Sequence, residues 1–481
     1  MSSNSPLLEL IDIELFERPV LLRLPFKFGV VTLTHCPQAF VRVQVRTAGG
    51  KIVHGGAAEV MAPKWFDKNL ALSNEDNFNQ LRDVLRIAKQ AYLSDKKPAT
   101  SFEHFARHYD AQQFICAQRG YNSLLANYGP ALIDRAILDA LCRAHDVSFY
   151  KAVQHNLIGI SSQAGKLQDE FASLGVAQCL SDLKPAPFIE ARHTVGMLDP
   201  ITSHDIQASV NDGLPESLED VVKVYGHRFF KLKVGGNLHE DLNRLKSIAS
   251  VLDGIQAPYF ASLDGNEQYE SAEQLQELLS CMRSTPELIR LMSSVLFVEQ
   301  PVNRKMALEA DFRGNALGLP VIIDESDDSL DSFVAAREQG YSGVSSKSCK
   351  GLYKSFLNAA RCSRWNAEQG PLKFFMSAED LTTQAGLSVQ QDLALVNLLG
   401  ITHVERNGHH YVNGMAALPE SEQQAFLSAH PDVYERTHGA VRLQIRNGRI
   451  ALSSMDCVGF GSSVLPEFQS MKPIELNSNI A

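Results

Sequence analysis

HRFFKLKVGG (227–236), PYFASLDGN (258–266), VLFVEQP (295–301), LPVIIDES (319–326) and YSGVSSK (341–347) set the frame for this chain of 481 residues. Each is a short apolar, strand-like run that delivers a charged residue: Lys233, Asp264, Glu299, Asp324 and Lys347. These charges follow one another at intervals of 23 to 35 residues, which is one strand plus one helix per step. That is the repeat of an α/β chain folded as a (β/α)8 barrel of the TIM type, whose strands present side chains from their C-terminal ends to one mouth. Three carboxylates flanked by two lysines are therefore expected to converge there.

The alternation extends in both directions. PFIEARHTV (187–195) reads as strand 1, LKFFMSAED (372–380) as strand 7 and ITHVERNG (401–408) as strand 8, with helical stretches such as EDLNRLKSIASVL (240–252) between strands. Residues 151–435 are thus assigned to the barrel. The rival, an open doubly wound sheet, is disfavoured by the count of eight and by the lack of a Gly-rich phosphate turn after strand 1. Residues 1–150 read differently. IDIELFER (11–18), LRLPFKFGVVTL (22–33) and FVRVQVRTAGGKIVHGGAAEV (40–60) form an antiparallel sheet with a TAGGK hairpin turn. NFNQLRDVLRIAKQAYL (77–93) and PALIDRAILDALCRAH (130–145) read as helices. This is an N-terminal α+β domain, and the strand-like tail, 436–481, is too short to fold alone and is expected to dock back on it.

Composition narrows the class. Hydrophobic content of 44% and charge of 21% are ordinary for a globular protein, and the net charge of −10 disfavours nucleic-acid or anionic-membrane partners. No apolar stretch reaches the ~20 residues a membrane span needs. Eight cysteines without CxxC spacing, and an acidic N-terminus without a signal core, point to a reduced cytoplasmic protein.

The chemistry follows from the donor set. Asp264, Glu299 and Asp324 supply hard oxygen ligands from adjacent strands, suited to Mg2+, with Mn2+ possible. Such a cation is a Lewis acid toward a substrate carboxylate and stabilises the enediolate formed when the α-proton leaves. Lys231 and Lys233, two apart, share one strand face. A lysine base must be neutral, and a second ammonium and a cation nearby favour that form, so Lys231 is read as tuning Lys233. Lys347 approaches from across the barrel. Two lysines on opposite faces of a carbanion serve racemisation or epimerisation; one base with the other as a cation serves elimination or cycloisomerisation. Structural ion pairing explains any one of these residues, but not all five in this order, because buried charge costs several kcal/mol per ion unless it is paired or metal-bound.

These motifs resemble the enolase superfamily, in its muconate-lactonizing or mandelate-racemase-like branch. KLK (231–233), LDGN, VEQP, IDES and VSSKSCKG (344–351) are similar to that branch's KxK, metal-ligand and strand-6 lysine motifs. The resemblance implies a Mg2+ site at Asp264, Glu299 and Asp324, bases at Lys233 and Lys347, and supporting roles for Asn266 and Glu325. It also implies a small-molecule carboxylate substrate, a capping domain built from residues 1–150 and the GFG tail, and a homo-oligomer. A lysine at 347 in place of a His–Asp pair points to the muconate-lactonizing-like subgroup. The expected activity is a racemase, epimerase or cycloisomerase. A syn-dehydratase, of the o-succinylbenzoate-synthase or acid-sugar kind, is the alternative, and a non-catalytic metal-binding barrel the rival of another class.

Departures carry information. Strand 6 is one residue shorter before its glycine than the common form, which leaves Lys350 as a weaker candidate than Lys347 for the second base. Strand 8 lacks the DxD pattern of dipeptide epimerases, so that activity is disfavoured. The helical region about 62–130 is long for the family and is expected to extend the lid or make a subunit contact. Substrate contacts are expected from the cap segment with Phe26, Lys27 and Phe28, from Glu379 and Asp380 after strand 7, from Glu405, His409 and His410 around strand 8, and from His193 on strand 1. For Lys27 a solvated lysine is the competing reading, and for each histidine a structural role.

Overall fold

The computed structural model describes residues 5–161, 166–313 and 317–474. Three antiparallel strands open the chain: β1 (Leu8–Phe28), β2 (Val31–Thr47) and β3 (Ile52–Val60). The runs 11–18 and 22–28 belong to one 21-residue strand, bent where its register shifts between Leu21 and Phe26. Its tip turns through Gly29, at φ +49, so the cap segment expected over the mouth is the end of a long hairpin. Helices α1 (Asn74–Ser94) and α3 (Ser123–Ala144) pack on this sheet, and α2 (Ser101–Gln118) packs on both of them. Capping boxes at Ser73 and Thr100 start α1 and α2.

Helix α3 begins seven residues before Pro130, where the sequence suggested a start, and runs through it. Proline removes the amide that would pair with the Ala126 carbonyl. Gln112 Nε2 on α2 donates to that carbonyl at 3.2 Å, so the break is repaired from the neighbouring helix. The close approach of α3 to the sheet needs Gly55, where a Cβ would fall 2.2 Å from the Ala136 carbonyl oxygen.

Eight parallel strands follow: β4 (Phe188–Val195), β5 (Phe229–Lys233), β6 (Phe260–Asp264), β7 (Val295–Glu299), β8 (Val321–Ile323), β9 (Gly343–Ser346), β10 (Phe375–Ala378) and β11 (His403–Arg406). Their order, β10-β9-β8-β7-β6-β5-β4-β11, is that of a barrel cut between strands 7 and 8. That seam is laced by side chains: the Asp380 amide donates to Glu405 Oε2 at 3.0 Å, and the Asn407 amide to Asp380 Oδ2 at 3.0 Å. The chain is therefore an α/β barrel with an N-terminal α+β cap.

The tail serves both domains. Strands β12 (Tyr434–Thr437) and β13 (Ala440–Leu443) form a hairpin, and β14 (Arg449–Ala451) pairs with the start of barrel strand β4, not with the cap. Strand β15 (Lys472–Pro473) completes the cap sheet beside β1. Between them Phe460, in the GFG turn, stacks on Phe149 at 3.9 Å, and its amide donates to Asp139 of α3 at 2.7 Å. All eight cysteines are free. No helix among the described residues is long and apolar enough to cross a membrane.

Asp134 of α3 is buried, accepts a hydrogen bond from Tyr92 Oη at 2.8 Å, and is held by burial well above the usual carboxylate range. A raised folded pKa means that stability is highest below the unfolded value of about 4 and falls as pH rises through the folded one. Asp134→Asn keeps the acceptor and removes the ionisation. It is expected to raise the melting temperature at neutral pH, by a margin that closes toward pH ~4 in a pH series of thermal melts.

Candidate active site

Strand register places the predicted residues at one level. Lys233 pairs with Asp264 and Asp264 with Glu299 across β5, β6 and β7, and Asp324 and Lys347 follow the last residues of β8 and β9. All five are buried. Lys233 Nζ donates to Asp264 Oδ2 at 2.6 Å, and Lys347 Nζ to Asp324 Oδ2 at 2.6 Å. Lys231 Nζ lies 2.9 Å from Asp264, 2.9 Å from Glu299, 2.7 Å from Glu379 and 3.0 Å from Glu405. Lys350 Nζ lies 2.8 Å from Asp324 Oδ1 and also donates to the carbonyls of Asp324 and Ser345.

The charges are unevenly shared. Arg192, Lys231 and Lys233 face four carboxylates: Asp264, Glu299, Glu379 and Glu405. On the other side Lys347, Lys350 and Lys354 face two, Asp324 and Asp327. Six cations meet six carboxylates in all, but the half around Glu299 has a carboxylate in excess. Its consequence is visible at Glu299. Burial, then the Asp264 and Glu379 charges, push its carboxyl well above the usual range. Its contact with Lys231 lacks hydrogen-bond geometry, so both Glu299 oxygens are buried without a donor. Asp324 is held well below its usual value, because Lys347 and Lys350 outweigh the burial that opposes them. A divalent cation among Asp264, Glu299 and Asp324 would satisfy the orphaned oxygens and the local excess of negative charge, so this donor set fits a hard cation such as Mg2+.

For the lysines the effect runs the other way. Burial alone would lower Lys231, but Asp264, Glu299, Glu379 and Glu405 outweigh it and hold its ammonium well above the usual lysine range. Lys231 is therefore a fixed cation in this arrangement. Burial likewise opposes, and Asp324 overrides, at Lys347, whose ammonium is also stabilised.

Supporting residues fix the carboxylates. The Asn266 amide donates to Asp264 Oδ1 at 2.8 Å and Asn266 Nδ2 reaches Glu325 Oε1 at 3.3 Å. Gln300, which follows Glu299, accepts from the Asp324 amide at 2.8 Å. The cap closes over the mouth. Phe26, Phe28 and Leu33 from the hairpin, and Ala62 and Trp65 from the loop after β3, line the cavity with the lysines and carboxylates. Lys347 Nζ sits 5.0 Å from the centre of the Trp65 ring. Arg304 clamps that loop by donating to the carbonyls of Trp65 and Phe66 and to Glu267. The enclosed space is about 20 Å3, water-sized, so substrate entry requires the hairpin or the loop to move. A larger cavity, about 380 Å3, lies between the cap sheet and the loop after β10, but its charged lining residues are Arg18, Arg23 and Glu422, with no lysine.

The remaining predicted positions divide. Glu379 and Glu405 point into the barrel, bound to Lys231; Asp380 lines the cavity and spans the seam. Lys27 alternates with Phe26 and Phe28 on β1, so its side chain leaves the face that covers the mouth, and it is not among the lining residues. His193 lies on the outer face of β4, because its neighbours Arg192 and Thr194 reach inward to Glu379 and Glu405. It meets His409 and His410 there, away from the mouth. Sequence reasoning passed over Arg192, Trp65 and Arg304. Strand parity in EARHTV would have found Arg192; nothing local marks the other two.

Comparison with known proteins agrees with this architecture. Residues 213–467 match the family model described as enolase C-terminal domain-like. No curated protein matches the chain in sequence. Among solved structures, the muconate lactonizing enzyme of Pseudomonas fluorescens, complexed with muconolactone, superposes with a TM-score of 0.58 at 17% identity, covering 95% of this chain and 97% of that one. The dipeptide epimerase of Enterococcus faecalis, complexed with Mg and a dipeptide, gives 0.58 at 14% identity, covering 94% and 99%. A putative sugar isomerase of Streptomyces coelicolor gives 0.58 at 16%, covering 95% and 94%. At such identities the likeness is one of fold, while the family match spans more than half of the sequence: the chain belongs to the enolase C-terminal domain-like family.

Proposed function

We propose that this protein is a Mg2+-dependent enzyme that removes the proton α to a carboxylate, with Lys233 and Lys347 as its acid–base pair, in a racemisation, epimerisation or cycloisomerisation. The observation that carries the reading is Glu299, a buried carboxylate with both oxygens lacking donors, set between two further carboxylates and the two lysines. Asp264, Glu299 and Asp324 would hold the cation, Mn2+ being the substitute, and it would supply Lewis-acid charge to the substrate carboxylate.

The chain's own groups do the rest. Strands β5 and β9 stand four apart in an eight-stranded barrel, so Lys233 and Lys347 reach a bound substrate from opposite sides. Lys233 takes the α-proton on one face and Lys347 returns one on the other, which inverts the centre. Where Lys347 stays a cation, the same first step serves cycloisomerisation. Lys231, held charged by four carboxylates, faces the negative charge that develops on the substrate. Trp65, Phe28 and Leu381 wall the space and exclude water. The substrate is a small carboxylate, since only a group that fits beneath the cap reaches the lysines.

Exchange of the Cα proton, followed by mass spectrometry in D2O with N-acyl amino acids, dipeptides, sugar acids and unsaturated carboxylates, tests this. Mg2+-dependent exchange is expected on one substrate class, falling by at least ~100-fold in Lys233→Ala and in Lys347→Ala. Undiminished exchange in both variants overturns the assignment of the bases. Glu299→Gln is expected to weaken Mg2+ binding more than about tenfold by calorimetry, since even outer-shell changes at metal sites cost that much.

A further inference from the structure

A second cluster of metal-ligating side chains lies on the other side of β4 from the barrel mouth. His193 leaves the outer face of that strand, His227 sits in the turn before β5, and His409 follows β11. One ring nitrogen from each lies within 4.8 Å of the others, and all three residues are buried. His410 meets His193 edge-on, with ring centres 5.1 Å apart.

Hydrogen bonding sets this group apart from packed core histidines. His193 Nδ1, His227 Nε2, both nitrogens of His409 and His410 Nδ1 are buried without a partner. Buried polar atoms are normally satisfied, and five unpartnered ring nitrogens in one place call for a ligand. The His227 ring is already oriented for one. Its Nδ1 lies 2.9 Å from the Ala191 carbonyl oxygen, which assigns the proton to Nδ1 and leaves the Nε2 lone pair free. A backbone carbonyl behind the imidazole is the usual outer support of a metal-bound histidine.

We infer that His193, His227 and His409 form a second metal site, separate from the carboxylate site, that takes a late first-row transition cation of the Zn2+ type. Three neutral imidazoles without a carboxylate do not suit Mg2+ or Ca2+, but suit Zn2+, Co2+, Ni2+ or Cu2+. At Zn–N distances of about 2.0–2.1 Å a tetrahedral site has nitrogens roughly 3.3 Å apart, so the rings close by about 1.5 Å, within reach of side-chain torsions. The fourth position falls to His410 or to an anion. An anion is favoured by the Arg442 guanidinium, which donates to the His409 carbonyl at 3.1 Å. The three ligands come from the places where barrel strands 8, 1 and 2 meet, so the cation would staple the barrel beside its open seam.

The test uses the full-length, untagged protein, stripped with a chelator and returned to excess Mg2+ so that the carboxylate site is filled. One equivalent of Co2+ is expected to give the intense visible bands of tetrahedral cobalt, and Zn2+ to displace it and raise the melting temperature. The bands should vanish in His193→Gln and His227→Gln and persist in Glu299→Gln. A Zn-edge X-ray absorption spectrum of the unmutated protein is expected to show imidazole scattering, so the result holds even where a histidine variant fails to fold. A spectrum of oxygen ligands only, no stoichiometric binding beyond Mg2+, or a cobalt signal lost in Glu299→Gln and kept in the histidine variants would overturn the inference.

Discussion

Everything at the barrel mouth depends on how buried charge is balanced. Carboxylates at the ends of β6, β7 and β10 and within β11 are out of reach of water, and so are the lysines of β5 and the segment after β9. Such groups are tolerated only when each charge has a partner. Most do: Asp264, Asp324 and Glu405 are all held below their usual range by neighbouring ammonium groups that outweigh burial. Glu299 is the exception: it has Lys231 beside it at 2.9 Å but accepts no hydrogen bond, and its carboxyl is raised rather than lowered. A carboxylate that neither accepts a hydrogen bond nor ionises at its usual pH is a poor structural element and a good ligand.

In the proposed reaction the same balance would tie metal to base. Asp324 stabilises the Lys347 ammonium, and Asp264 accepts from Lys233. A carboxylate engaged by a cation holds a lysine proton less tightly. The cap adds the second condition. Trp65 over Lys347 and the Phe26–Phe28 face of the hairpin leave only a water-sized space, while Arg304 and Glu267 pin the loop to the barrel. The mouth is thus covered by apolar residues of the cap, while the charged residues that line it all come from the barrel; in the proposed reaction the barrel would react and the cap select.

Much of this was legible in the sequence, for a reason of geometry. A barrel strand is short and its last inward residue lies at the mouth, so five charged residues behind five apolar runs could be read as one site. The eight strands fell where alternation placed them. What failed was side-chain direction near the ends. Lys27 shares a motif with Phe26 and Phe28, but strand pleating turns it the other way. His193 and His409 are expected at the mouth from the sequence, but Arg192 and Thr194 occupy the inward positions of β4. Periodicity marks α3 only from Pro130 onward, whereas the helix runs through that proline; the repair by Gln112 is a tertiary contact that local sequence does not encode. The tail is expected from the sequence to dock on the cap, yet β14 joins the barrel. Trp65 and Arg304 act only through domain docking, which no local pattern records.

The central claim is that Asp264, Glu299 and Asp324 bind a divalent cation in place of Lys231. Anomalous diffraction at the manganese edge, from crystals soaked in Mn2+, tests it directly. The account predicts one peak within coordination distance of all three carboxylates, with Lys231 Nζ displaced from Glu299 and still paired with Glu379 and Glu405. No peak there, with Lys231 still 2.9 Å from Glu299, would contradict it.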